Sequence, residues 1–300
     1  MTRQNGKKRI ILIGNPEKPQ SSRLGREVLG WMRLKAQIVA DNIEGPLEMS
    51  NLPAADFIIV LGGDGTILST VRALGHKQLP IIGVNIGKLG FLAEFSAEQL
   101  LEHFDQLLTD RALISERVML QCRITGPDRE QDYLTTAVNE LAIIAGPPFR
   151  MIEVTIRIAQ EHLAVCAGDG LLVATPTGST AYNLSAGGPI LMATLEAAVI
   201  TPLAAHSLSF RPVVVDLDKP IVLGCHFTHA HHQTDPASEK RKPGPVIAAI
   251  DGQINVPLSS DDQVIITRAD ARFLLIENPS QGQWRLLNTK LNWGALPNYS

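Results

Sequence analysis

The chain is poor in cysteine and carries no marked excess of either charge. Its three cysteines, Cys122, Cys166 and Cys225, lie far apart and form no C-x-x-C pair. Because they are odd in number and widely spaced, we expect reduced thiols in a cytoplasmic protein. A formal charge of −3 gives no electrostatic reason to expect nucleic acid or an anionic membrane as a partner.

The chain also lacks any apolar run of transmembrane length. Its first nine residues are polar and basic and lead into a predicted strand, with no apolar stretch of signal-peptide length. We therefore expect no membrane-spanning segment and no secretory signal. The chain is rich in hydrophobic residues, which make up 45% of its 300 residues. This number is enough for the cores of two packed domains.

The first third of the chain alternates predicted strands with predicted helices. Apolar runs at residues 8–13, 36–40, 57–61 and 80–85 predict four strands. The last strand begins about 24 residues after the start of the one before it, an interval that fits one crossover helix, so these strands should be parallel. Ser96 opens a capping box, S-A-E-Q, and a helix follows it. That helix carries one apolar stripe: Leu100, Leu101, Phe104, Leu107 and Leu108.

The pattern changes after about residue 112, where short strands predominate. Residues 151–158 alternate strictly between apolar and polar side chains, which indicates a half-exposed antiparallel strand. Only residues 190–199 offer a helix. Further short strands are predicted at 118–124, 163–165, 171–174, 213–215, 221–223, 246–250, 264–267 and 273–276.

These patterns predict an α/β N-terminal domain with a parallel, Rossmann-like sheet followed by a mostly antiparallel β domain. We place the first domain at residues 1–112 and the second at 113–276, and we expect residues 277–300 to pack back on the first. Residues 229–245 are polar and contain three prolines, which indicates an exposed loop. Histidines cluster at its start, but without cysteine or carboxylate at a ligand spacing we expect no functional metal site there.

One short stretch, residues 62–66 with the sequence G-G-D-G-T, lies between a buried strand and a helix. Glycines in such a turn let backbone N–H groups close around a ligand. Those amides and the positive end of the helix dipole favour anions, above all phosphate. The stretch is neither a Walker A loop nor a G-x-G-x-x-G fingerprint.

Asp64 is the unexpected residue in this turn, because a carboxylate repels phosphate. It could accept a proton from an attacking hydroxyl, or it could hold a divalent cation. The alternative is an aspartate that only caps the helix, which is a common use of this residue.

Three stretches of the β region carry further polar groups. Asn139 and Glu140 follow a predicted strand and suit a ribose diol, although a strand-end turn is the simpler explanation of a dipeptide. Residues 168–185 contain T-P-T-G-S-T-A-Y-N-L-S, rich in hydroxyls, with Tyr182 offering a flat ring. An ordinary Ser/Thr turn with a core tyrosine is the alternative. Residues 251–253, D-G-Q, alone predict only a turn.

Taken together, these motifs resemble those of the NAD kinase family. The G-G-D-G-T turn is shared with phosphofructokinases and with diacylglycerol-type lipid kinases, but the T-P-T-G-S-T-A-Y segment is not. Residues 83–92, G-V-N-I-G-K-L-G-F-L, and residues 288–293, N-T-K-L-N-W, are also similar to the family. The resemblance covers the chain from about residue 56 to 276.

The resemblance implies transfer of a phosphoryl group to the 2′-hydroxyl of the adenosine ribose of NAD, with Asp64 as general base. It implies ATP with Mg²⁺, or polyphosphate, as the donor, a β domain that binds the dinucleotide, and a homo-oligomer, either dimer or tetramer. The substrate-binding residues that it implies are Asp64, Gly65, Asn139, Glu140, Arg150, Asp169, Thr180, Ala181, Tyr182, Asn183, Leu184, Ser185 and Gln253.

Two departures from the family's pattern concern positive charge. Some relatives have arginine where this chain has Ser69 and Ala167, which weakens the expected contacts to the donor. Two alternatives remain at this point: a kinase with a lipid or sugar acceptor, and a non-catalytic sensor of NAD or NADP. A lipid acceptor predicts an apolar groove or a basic face, and a sensor predicts dinucleotide binding without ATP consumption.

Overall fold

The computed structural model describes residues 7–15, 19–43, 47–87, 90–147, 149, 151–226 and 246–293. The chain divides into two compact units, Met1–Glu116 with Phe273–Ser300, and Arg117–Arg272. The predicted site residue Arg150 and the predicted loop at 229–245 lie outside the described residues. No helix in the described part of the chain has the length and apolar character needed to cross a membrane.

Strands outnumber helices in the described part of the chain. The strands are β1 (Arg9–Gly14), β2 (Gln37–Asp41), β3 (Phe57–Leu61), β4 (Ile81–Val84), β5 (Ile114–Arg117), β6 (Leu120–Thr125), β7 (Tyr133–Ala137), β8 (Glu140–Ala145), β9 (Ile152–Ile158), β10 (Glu161–Gly168), β11 (Gly170–Ala174), β12 (Ala197–Leu203), β13 (Val213–Asp216), β14 (Ile221–His226), β15 (Val246–Ile250), β16 (Ile254–Leu258), β17 (Gln263–Arg268) and β18 (Phe273–Ile276). The helices are α1 (Pro19–Lys35), α2 (Asp64–Leu74), α3 (Ala97–Leu107), α4 (Tyr182–Ser185) and α5 (Gln283–Leu291), with a 3₁₀ turn at Thr177–Thr180.

The first unit is built on a sheet with the strand order β2-β1-β3-β4-β18-β5. Strands β1, β3 and β4 pair in parallel, with Gly14 beside Leu61 and Leu61 beside Val84. All five residues of β3 are buried, as expected for a strand covered on both faces. The parallel sheet predicted from the sequence is confirmed. The turn after β3 and the segment after β4 therefore lie at the same edge of this sheet.

Helix α3 shows how local sequence sets an element of this unit. The Ser96 hydroxyl accepts the Gln99 N–H, and the Gln99 side chain accepts the Ser96 N–H, so the capping box is present. Leu100, Phe104 and Leu107 are buried on the face that packs on the sheet. Leu101, which we placed on the same stripe, is instead 39% exposed.

The second unit consists of two antiparallel sheets that share one core. Their strand orders are β10-β9-β14-β17-β6-β7 and β13-β12-β11-β8-β15-β16. In the second of these, β8 lies between β11 and β15, with Glu140 beside Ala174 and Leu141 beside Ile250. The start of β8 and the ends of β11 and β15 therefore meet at one edge of the sheet, and a loop leaves the sheet from each of them.

Two predictions from the sequence need changing. The helix predicted at 190–199 is wrong, because residues 190–196 form no helix and Ala197 begins β12, where Val199 pairs with Ala174. A long-range partner overrides local helical spacing there. The strand predicted at 273–276 exists, but it joins the sheet of the first unit, where Leu275 lies beside Ile81 in parallel.

Candidate functional site

The turn between β3 and α2 is held tightly by backbone contacts. The Gly62 N–H donates to the Val84 carbonyl at 2.9 Å, and the Thr66 N–H donates to the Gly63 carbonyl at 3.0 Å. A Cβ on Gly62 would lie 2.5 Å from the Thr66 hydroxyl. Gly63 is the N-cap of α2 and supplies no side-chain cap. The first amides of the helix therefore lie close to the glycine-rich backbone, where an anion can be bound.

The Asp64 carboxylate does not cap its own helix. Oδ2 accepts the Phe91 N–H at 2.9 Å, and Oδ1 accepts the Leu92 and Ala93 N–H groups, each at 3.0 Å. Three amide donors hold this half-buried carboxylate in place. An ionised carboxylate offers about four acceptor positions, so the described residues leave one position, on Oδ2, for a ligand.

Gly90 makes this arrangement possible. A Cβ at that position would lie 1.8 Å from Oδ1 of Asp64, closer than any two such atoms can approach. The segment after β4 can therefore bring its amides to Asp64 only if residue 90 has no side chain. The sequence already contained this signal, in the glycines on either side of residues 88–89.

A cavity of about 610 Å³ lies beside the same turn. Gly63, Gly65 and Thr66 line it, whereas the Asp64 carboxylate turns to residues 91–93. The glycine-rich turn therefore has a hollow for a ligand next to it and a carboxylate anchored to the neighbouring segment. The rest of the wall comes from β1, from residues near β2 and from α2: Ile13, Gly14, Asn15, Asn42, Leu47, Met49, Ser69, Thr70 and Ala73.

Lys290 of α5 is a cation close to Phe91 that sequence reasoning missed. Its Nζ lies 4.8 Å from the centroid of the Phe91 ring. Partial burial lowers the pKa of Lys290, while the charges of Asp64 and Glu94 act in the opposite direction. Nothing local in N-T-K-L-N-W points to Asp64, because the two residues are separated by most of the chain.

In the second unit, Asp251 anchors the start of β8. Its carboxylate accepts the N–H groups of Val138 at 3.0 Å, Asn139 at 2.7 Å and Glu140 at 3.1 Å. Asp251 has a φ of +49°, a conformation that aspartate tolerates better than most residues. The stretch D-G-Q that predicted only a turn therefore fixes the predicted site residues Asn139 and Glu140.

Glu140 is 6% exposed, and its Oε2 has no hydrogen-bond partner in the described part of the chain. Burial raises the pKa of its carboxyl to about 7, the nearby charge of Asp251 adds to that shift, and the Tyr182 backbone N–H opposes it. A buried carboxyl with an unused oxygen is rare in proteins. It is therefore suited to a ligand that brings a hydroxyl group.

The loop after β11 packs against Asn139 and Glu140. The Thr175 hydroxyl donates to the Val138 carbonyl at 2.6 Å, and a Cβ on Gly178 would lie 2.1 Å from the Asn139 carbonyl oxygen. Asn183 is fully buried, donates to the Ser179 and Pro189 carbonyls and accepts from the Thr201 hydroxyl. Its side chain thus holds the loop in place and reaches no open surface.

The remaining predicted residues fall in two places. Thr180, Ala181, Tyr182, Leu184 and Ser185 lie in this loop and α4, where the Tyr182 side chain is 40% exposed, and the exposed Gln253 follows Asp251. Asp169 is exposed but immediately precedes β11, so the full length of that strand separates it from the loop. Among the described residues of this unit, Asp169 therefore lies apart from the predicted residues of the loop.

The described residues contain no cluster of three or more His, Cys, Asp or Glu side chains able to hold a metal ion. The three cysteines are free and buried, and burial raises the pKa of the Cys225 thiol to about 12. Nucleophilic thiol chemistry and a metal cage built by these side chains are therefore not features of the described site.

The first unit combines a parallel α/β sheet with an anion-binding turn, a carboxylate beside that turn and a hollow for a ligand. This combination is typical of a nucleotide-binding kinase. Family models match both units: the ATP-NAD kinase N-terminal domain at residues 46–112 and the ATP-NAD kinase C-terminal domain at residues 138–278. The chain belongs to the ATP-NAD kinase family.

Individual relatives agree with the family models. The NAD kinase of Rhodopirellula baltica is 35% identical over 287 residues, covering 96% of this chain and 87% of the relative. The NAD kinase of Trichlorobacter lovleyi is 32% identical over 296 residues, covering 96% of this chain and 99% of the relative.

Solved structures support the fold. Yeast NADH kinase complexed with NADH has a TM-score of 0.86 at 23% identity, over 99% of this chain and 91% of that one. An NAD kinase from Archaeoglobus fulgidus in complex with ATP has a TM-score of 0.69 at 24% identity, over 91% of this chain and 94% of that one.

Proposed function

We infer that the chain is an NAD kinase, which transfers a phosphoryl group to the 2′-hydroxyl of the adenosine ribose of NAD and so produces NADP. The activity follows from membership of the ATP-NAD kinase family. Our assignment of the chemistry rests on one observation: the Asp64 carboxylate is anchored by three amides, yet it keeps one acceptor position next to an anion-binding turn.

We propose that Asp64 accepts the proton of the 2′-hydroxyl. The 2′-oxygen attacks the terminal phosphorus of the donor, the bond from that phosphorus to the bridging oxygen breaks, and ADP leaves. A ribose hydroxyl is a very weak acid, so its proton moves late, as the new bond forms. The amides of residues 91–93 hold Asp64 in position while this happens, and positioning of this kind supplies much of the rate.

The cavity beside the turn is our proposed donor site. Gly63 and Gly65 present backbone rather than side chains there, and the helix dipole of α2 favours the phosphates. Mg²⁺ would enter this site with the phosphates of Mg-ATP, since the described side chains build no cage of their own. When bound it would neutralise phosphate charge. Polyphosphate is the other donor to test.

The second unit is our proposed dinucleotide site. Asn139 offers an amide, and Glu140 offers its unused oxygen to a ribose hydroxyl, at the sheet edge where the loop of residues 175–185 leaves β11. We expect Thr180, Tyr182 and Ser185, and the backbone of Ala181, Asn183 and Leu184, to contact the ligand. Gly65, Arg150 and Gln253 complete the proposed set.

We propose that the chain acts in the cytoplasm as a homo-oligomer, either a dimer or a tetramer, and the position of Asp169 supports the oligomer. Because β11 separates it from the loop of residues 175–185, we propose that Asp169 contacts a dinucleotide held by another copy of the chain. Mixing Asp64→Asn with Asp169→Ala should then restore part of the activity that each variant lacks. Mixtures that stay as inactive as the separate variants would contradict a shared site.

The activity itself is tested with purified protein, NAD, Mg²⁺ and either ATP or polyphosphate, and NADP is measured with an NADP-specific dehydrogenase. We expect NADP to accumulate with at least one donor and to depend on added NAD. Binding of NAD without consumption of either donor would indicate a sensor instead of an enzyme. Consumption of donor without NADP would indicate another acceptor.

A further inference from the structure

The C-terminal helix α5 brings a lysine to the segment that anchors Asp64. Leu286 and Leu287 are buried and fix the helix on the first unit, and Asn292 ends it in a left-handed conformation. Lys290 lies one turn further along than Leu286 and is partly buried. Its Nζ lies over the Phe91 ring, 4.8 Å from the centroid, which is within the range of a cation–π contact.

This contact brings the ammonium close to Asp64. The backbone N–H of the same Phe91 donates to Oδ2 of Asp64 at 2.9 Å, which is the oxygen with an acceptor position left. The buried Glu94, whose Oε2 accepts the Asn278 N–H at 3.1 Å, adds a second negative charge nearby. Lys290 interacts electrostatically with both carboxylates, so this part of the first unit contains two negative groups and one positive group.

The proposed reaction adds more negative charge at this point. A new phosphate monoester carries about −1.5 to −2 charges at neutral pH, and it lies next to Asp64, which is a carboxylate again once it releases the proton that it accepted. Residues 62–66 contain no lysine or arginine, and residue 69 is serine. Unless a cation from elsewhere in the fold offsets it, the repulsion between phosphate and carboxylate opposes product formation.

We propose that the Lys290 ammonium contacts the phosphoryl group as it arrives on the 2′-oxygen, and so favours the phosphorylated product and the transition state over unphosphorylated NAD. This assignment rests on the proposed function. It makes Lys290 a catalytic residue, supplied by a helix more than 200 residues away from the turn in the sequence. The positively charged contact that the turn itself lacks is then present in the folded unit.

The chain provides a matched control for a purely structural role. Lys8 lies over the Phe57 ring at 5.9 Å, a similar contact in the same unit. Phe57 is the first residue of β3, however, so this pair lies at the opposite edge of the sheet from the turn. Lys8→Met therefore removes a cation–π pair without touching the proposed site.

The test compares NADP with NAD as ligands, since they differ only in the 2′-phosphate. Wild-type protein is first shown to form NADP, and dissociation constants for both ligands are then measured by titration calorimetry for wild type, Lys290→Met, Lys290→Arg and Lys8→Met. We expect Lys290→Met to weaken NADP binding by roughly 10- to 100-fold, the usual contribution of a charged contact to phosphate, and NAD binding by less than about threefold. Lys290→Arg should retain most of the preference, and Lys8→Met should change neither constant.

Two results would overturn the assignment. An equal loss for both ligands would mean that Lys290 supports Phe91 or a part of the ligand that NAD and NADP share, and no loss for either would remove it from the site. If Lys290→Met does not fold, Lys290→Gln is measured by the same comparison. Failure of wild-type protein to form NADP would instead count against the proposed function, which separates the two conclusions.

Discussion

Asp64 in the first unit and Asp251 in the second make nearly the same contacts with the backbone. Each carboxylate accepts three successive N–H groups from a distant part of the chain: residues 91–93 for Asp64 and residues 138–140 for Asp251. Asp251 is 6% exposed, whereas Asp64 is half-buried beside a glycine-rich turn. Hydrogen bonds alone therefore do not explain why we propose Asp64, and not Asp251, as the general base; the difference lies in the exposure of each carboxylate.

The two aspartates also act differently on their charged neighbours. The charge of Asp251 adds to the raised pKa of Glu140, whereas the charge of Asp64 supports the protonated form of Lys290. One carboxylate thus helps to keep a buried acid neutral, and the other helps to keep an amine charged. We expect the first to matter mainly for the stability of its unit and the second mainly for chemistry.

Asp64→Asn should give the largest effect on activity. We expect kcat to fall by about 10² to 10⁴, the usual contribution of a general base, and NAD affinity to change by only a few-fold. Some stability is lost as well, because an amide NH₂ would face the Phe91 N–H. Steady-state kinetics and NAD titration check this, with the exposed Asp105→Asn of α3 as control. Turnover close to that of wild type would remove Asp64 from the base role.

Asp251→Asn should give the largest effect on stability. Replacing one oxygen by NH₂ leaves a buried amide donor of residues 138–140 unsatisfied, and we expect a loss of about 2–3 kcal/mol in the free energy of unfolding. Chemical denaturation of the variant measures it, with the exposed Asp261→Asn as control. A stability equal to that of the control would show that the three amides find other partners.

Gly90→Ala tests the position of the Asp64 carboxylate by changing the segment that it contacts rather than Asp64 itself. The added Cβ would lie 1.8 Å from Oδ1, so it must displace the carboxylate, and we expect about a tenfold or greater loss of kcat. Gly63→Ala is the matched variant, because its Cβ meets nothing within 4 Å. That protein should fold normally and show mainly a higher KM for the donor. Equal kcat for the two variants would contradict the role of Gly90.

Glu140→Gln should change stability in a pH-dependent way. The folded pKa of about 7 exceeds the value of 4.5 expected in the unfolded chain, so wild type loses stability as pH rises from about 4.5 to about 7. The variant has no proton to lose. We therefore expect it to gain about 3 kcal/mol relative to wild type between pH 4.5 and pH 8, while it binds NAD less well. Parallel pH profiles of thermal unfolding would contradict the buried, protonated carboxyl.

Local sequence patterns predicted most secondary-structure elements of the first unit, but they did not predict the tertiary contacts between those elements. The buried run of β3, the glycines after it and the Ser96 capping box depend on neighbouring residues, so the sequence indicated them directly. The partners of Asp64 depend instead on how β3 pairs with β4, with Leu61 beside Val84, and no local spacing reports that register. Lys290 was missed for the same reason.

In the second unit, prediction from the sequence also failed where a structure depends on distant parts of the chain. Strict alternation indicated β9 correctly, but the start of β12 resembled a helix until its pairing with β11 was known. Asp251 was predicted only as part of a turn, because its contact with residues 138–140 crosses more than 100 positions of the chain. The motif from T-P-T-G to N-L-S predicted a binding loop, and that role stays a prediction, while Asn183 within it holds the loop through buried hydrogen bonds.

The most direct test of the role of Asp64 is a crystal structure of the chain with NAD bound. We predict that the 2′-oxygen of the adenosine ribose lies about 2.6–3.2 Å from a carboxylate oxygen of Asp64, with the amides of Phe91, Leu92 and Ala93 still donating to that carboxylate. A 2′-oxygen held elsewhere, with Asp64 bonded only to residues 91–93, would make Asp64 a structural anchor like Asp251 and contradict the proposed mechanism.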